Sequence, residues 1–60
     1  MEEQQKLKEL IIQVKRKNPE IKDDQCVKEI MVEFTKWRPF FDEELEYWRG
    51  KAKELVENFT

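Results

Sequence analysis

The sequence predicts an all-α fold, a small three-helix bundle with helices over roughly residues 3–17, 24–37 and 42–58. Three observations predict it. Apolar residues recur at three- and four-residue spacing in three separate segments, the period of one helix face. Two prolines and one glycine are the strong breakers in the chain, which leaves room for two real corners. No segment shows the strict apolar–polar alternation of a half-buried strand, and there is neither an internal repeat nor a low-complexity tract.

The first element rests on Leu7, Leu10, Ile11 and Val14, which fall at i, i+3, i+4 and i+7 and form one stripe. Glu2 and Glu3 lie near its start and Lys15, Arg16 and Lys17 near its end, each matching the sign that the helix macrodipole favours there. Asn18-Pro19 ends it, because the residue before proline is pushed out of the α region.

The second element carries Val27, Ile30, Met31 and Phe34, with Cys26 and Trp37 on the flank of the stripe. Ile21 is out of phase with that stripe, so the helix is expected to begin after it. Asp23 and Asp24 are the N-cap candidates, since a carboxylate there accepts bonds from the free amides of the first turn. Asn18-Pro19-Glu20 forms at most a single turn before it, and Pro39 stops the helix.

The third element has the strongest stripe: Leu45, Trp48, Ala52, Leu55, Val56 and Phe59, with Phe41 one turn ahead. Asp42 is the expected N-cap, which puts Glu43 and Glu44 in the positive first turn. Gly50 breaks the local rule. It lies off the stripe and costs about 1 kcal/mol relative to alanine, which points either to a slight kink or to close approach by a partner.

Sixty residues make one domain, 1–60, near the lower limit for a chain that folds alone. The chain is 43% charged and 38% hydrophobic, too apolar for simple disorder. No apolar run approaches the roughly 18 residues of a membrane span, and Met1-Glu2-Glu3 is not the start of a signal peptide. A soluble, cytoplasmic protein without membrane contact is therefore expected. The single Cys26 agrees, because small secreted domains usually carry several disulfides.

Enzyme chemistry fails on inventory. The chain has no histidine and no serine, so Ser-His-Asp and Cys-His arrangements cannot form. Cys26 lies near a helix N-terminus, where a thiol pKa can fall, but a small core filler is the expected role. One thiol without imidazole does not make a zinc site. Asp42, Glu43, Glu44 and Glu46 lack the spacing and the glycine of a calcium loop, and they are expected to be a solvated helix start. No catalytic residue, cofactor or metal is expected.

Two functional readings remain. The first is a protein–protein interaction or regulatory module, self-association as a homodimer included, through an apolar outer face. Its candidate residues miss their helix stripes: Ile12 lies roughly 140° from Leu7 on the helical wheel, Val32 is similarly opposed to Val27, and Tyr47 opposes Leu45. Phe40 joins them, because consecutive Phe40 and Phe41 do not easily face one way, and Arg38 is the polar anchor. In the stretch KWRPFF (residues 36–41), Trp37, Phe40, Phe41 and Trp48 are expected to converge and plug the end of the core. Arg38 there lies over an indole or pairs with an acid of the Asp42–Glu46 run.

The second reading is DNA or RNA binding through the basic end of the first helix, Lys15, Arg16 and Lys17, with Lys22 and Lys28 nearby. Charge distribution favours the first reading. The net charge is −2, and residues 1–18 hold five bases against three acids whereas residues 39–60 hold three against six. The third helix, the usual reader in helix-turn-helix domains, would repel phosphate.

Overall fold

The two X-Pro steps, Asn18-Pro19 and Arg38-Pro39, divide the chain into three helices. The computed structural model describes residues 2–59 and runs α1 (Glu2–Lys17), α2 (Asp23–Trp37) and α3 (Asp42–Glu57), with no strand among the described residues. The expected three-helix, all-α bundle is the observed one. Element limits differ from expectation by one residue at three of the six ends.

Both caps deviate from the aspartates singled out above, for one physical reason: each helix starts one residue earlier. Lys22, extended at φ −74° and ψ 151°, is the N-cap of α2 without any side-chain cap bond. Its carbonyl accepts the Cys26 N–H at 2.8 Å. Asp23 and Asp24 therefore stand in the first turn and act through the macrodipole rather than through a cap hydrogen bond. Phe41 is the N-cap of α3 (φ −77°, ψ 157°). Phenylalanine offers no side-chain acceptor, but Glu44 Oε1 accepts the Phe41 N–H at 3.0 Å, which is the reciprocal half of a capping box. At the other end of α3, Asn58 Nδ2 donates to the Glu54 carbonyl at 2.8 Å, satisfying an acceptor that the helix leaves free.

α2 packs on both neighbours, and α1 meets α3 along a shorter seam. Arg38 bonds Glu3 near the start of α1 and Glu44 near the start of α3, whereas Lys15 near the end of α1 lies over the ring of Phe59 just past α3. α1 and α3 therefore run parallel, and α2 runs against both. The core consists of Leu7, Leu10 and Ile11 from α1, Cys26, Val27, Ile30, Met31 and Phe34 from α2, and Ala52 and Val56 from α3. Val14, Ile21, Phe40, Leu45, Trp48 and Leu55 pack around it half-buried. Ile21 reaches the core from a turn closed by its N–H to the Asn18 carbonyl at 3.1 Å, so a residue out of helical phase still contributes to burial.

Gly50 produces no break. The helix runs unbroken through it, its φ is not positive, and a Cβ built there meets nothing within 4 Å.

Candidate interaction surface

Phe34 is fully buried and organises the aromatic corner. Its ring stacks on Phe40 at 4.6 Å and Trp37 at 5.7 Å, and meets Trp48 edge-on at 5.8 Å. These are the separations at which aromatic pairs attract beyond the area they bury. The corner is thus an end-plug of the core, with one correction. Phe40 is half-buried against the core, and Phe41 is 80% exposed. The expected order was the reverse, with Phe40 outside and Phe41 continuing the α3 stripe. The reason is the backbone: Phe41 is extended and not helical, so the α3 period does not carry back to it.

Arg38 locks the corner from outside. Its guanidinium lies 4.0 Å from the Phe40 centroid, a cation–π contact with the phenyl ring rather than an indole. Nη2 reaches Glu3 Oε2 at 3.3 Å and Glu44 Oε2 at 3.2 Å, and Nη1 donates to the Pro39 carbonyl at 2.9 Å. The Phe41 N–H, and after it Arg38, hold the Glu44 carboxyl below its ordinary pKa against the opposing effect of burial. Arg38 is thereby committed within the chain, binding three segments together.

Ile12, Val32 and Tyr47 lie outside the core at 42%, 54% and 61% exposure. Phe40, by contrast, is half-buried against the core. Val32 lines a groove between α1 and α2 with Leu10, Val14, Lys17 and two glutamates, and neither Ile12 nor Tyr47 belongs to it. The Tyr47 ring stands edge-on to Trp48 at 4.9 Å.

The basic run at the end of α1 also divides. Lys15 lies over Phe59, Lys17 lines the α1–α2 groove, and Arg16 is exposed. Successive helical residues turn by about 100°, so the three side chains leave the helix in different directions. Lys28 belongs to another face altogether. It lines a groove between α2 and α3 of about 540 Å³ whose floor is Val27 and Met31 and whose rim carries Arg49, Lys53 and Asp24. Sequence reading missed this basic groove because its cations come from two helices, both of them net acidic. The available signal was Arg49 and Lys53 at i, i+4 beside the α3 stripe.

Cys26 is fully buried, and burial, opposed by Lys15 and reinforced by Asp23 and Glu29, pushes its thiol pKa up. It is a core residue and is not an activated nucleophile. Among the described residues no group of three metal-ligating side chains is placed to hold an ion, and no helix is long and apolar enough to cross a membrane. Comparison of the chain with protein-family models, curated proteins and solved structures finds no match.

Proposed function

We propose that this chain is a protein-interaction module that contacts its partners, a second copy included, through apolar side chains left outside a closed core. The observation that carries this reading is the exposure of Val32 and Tyr47 at 54% and 61% in a bundle whose ten core residues already meet one another. Single exposed apolar residues are ordinary; here they sit on helices rather than on loops, and Val32 lines a groove open to a second chain. Ile12 completes the set, Phe40 serves the corner, and Arg38 fixes the end of the bundle. The divided basic run of α1 gives nucleic acid less to bind.

Light scattering behind a sizing column, over a concentration series at low and high salt, tests this reading. Association that grows with concentration, persists in salt and falls in Val32→Glu or Tyr47→Glu supports it. A strict monomer overturns the self-associating form. A salt-sensitive complex with short duplex DNA, lost in the Lys15→Glu/Arg16→Glu pair, would replace it with the nucleic-acid reading.

A further inference from the structure

The α2–α3 groove is the part of the surface whose chemistry is most one-sided. Its floor is apolar and nearly buried, Val27 and Met31, while Lys28, Arg49 and Lys53 stand exposed around it against one carboxylate, Asp24. In a chain of net charge −2 this is a local excess of two positive charges. No ion pair among the described residues involves Lys28, Arg49 or Lys53; the three ion pairs present use Lys36 and Arg38. A methionine floor suits an incoming side chain, because the unbranched thioether adapts its shape.

Resting on the interaction reading above, we propose that the α2–α3 groove docks an acidic amphipathic helix of a partner protein. Its apolar stripe lies on Val27 and Met31, and its carboxylates meet Lys28, Arg49 and Lys53. This is helix-in-groove recognition, read by anchors at i, i+3, i+4 and i+7. The cationic rim steers encounter and fixes orientation. Carboxylates on a helix fit better than a nucleic-acid backbone, because the groove has an apolar floor that phosphates leave unused.

The test titrates ¹⁵N-labelled full-length chain with a synthetic helical peptide carrying leucines at that spacing and flanking glutamates. A second peptide has lysines in place of the glutamates, and a short duplex DNA is the third probe. The expected result is shifts confined to the faces of α2 and α3 around Val27, Met31 and Lys53 with the glutamate peptide alone. Arg49→Glu/Lys53→Glu should weaken that binding at least tenfold with helicity unchanged. No binding, equal binding of the lysine peptide, shifts elsewhere, or DNA binding lost in the same double variant would each overturn the proposal. A dimer formed through this groove in the absence of peptide would also overturn it. If the peptide fails while association sensitive to Val32→Glu persists, the groove proposal falls and the interaction reading stands.

Discussion

Arg38 and Phe40 are stacked: the guanidinium carbon lies 4.0 Å from the phenyl centroid, and the same guanidinium bonds Glu3 and Glu44. The pair closes the end of the bundle where all three helices arrive. Only a planar cation with several nitrogens lies flat on the ring while Nη2 holds both carboxylates and Nη1 the Pro39 carbonyl. Arg38→Lys should therefore destabilise the chain nearly as much as Arg38→Met, each by about 1 kcal/mol for a partly exposed site. Urea denaturation compares them. A lysine variant as stable as the parent would show that charge alone suffices.

Glu44 provides the pH readout of the same corner. Its carboxyl is held below the ordinary value near 4.5, first by the Phe41 N–H and then by Arg38. A carboxylate with a lowered folded-state pKa adds stability that is complete above the unfolded value and is lost as pH falls through the folded one. Thermal stability should thus decline in acid below about pH 4.5, and Glu44→Gln should flatten that decline. Equal acid profiles for the two proteins would remove Glu44 from the account.

The two adjacent phenylalanines should differ sharply. Phe40→Ala removes a ring stacked on Phe34 at 4.6 Å and the platform under Arg38, so a loss of about 2–4 kcal/mol is expected. Phe41→Ala removes a ring that is 80% exposed, and its cost should stay within about 0.5 kcal/mol. The midpoints of urea unfolding check both, and a larger effect at Phe41 would invert the arrangement described here.

That contrast shows what the letters could and could not convey. The stripes of α1, α2 and α3 were legible because helical period converts spacing into a face, and Leu7, Ile30 and Val56 are buried as the period requires. Phe40 and Phe41 were not, because both lie between Pro39 and the first turn of α3, where extended dihedrals and no fixed period decide which ring turns inward. The basic end of α1 reads as a cluster along the chain, yet 100° per residue separates its members. The Lys28, Arg49 and Lys53 rim shows the converse: Lys28 is far in sequence from the other two and joins them only by the packing of α2 on α3.

Cys26 should behave as an apolar residue with a late titration. It is fully buried and its pKa is raised above the ordinary thiol value of 9.0. The folded state keeps the proton that the unfolded chain releases, so stability is complete below pH 9 and declines as pH rises toward the folded value. The difference in stability between the parent and Cys26→Ala should shrink over that alkaline range. A disulfide reagent at neutral pH should modify the native thiol only as fast as the chain opens. Rapid modification without unfolding would place the thiol at the surface.

Gly50→Ala isolates the contribution of backbone freedom from every other term. The new methyl meets nothing within 4 Å, and the residue already has helical dihedrals without positive φ. The substitution therefore adds no contact and removes none; it restricts the unfolded chain and raises helix propensity. Stability should rise by about 1 kcal/mol, which for a domain of this size is an increase of roughly 4–8 °C in Tm. Calorimetry decides. A gain confirms that the free chain holds glycine against its own stability. A loss would mean that α3 bends at Gly50 and that the space beside it is occupied.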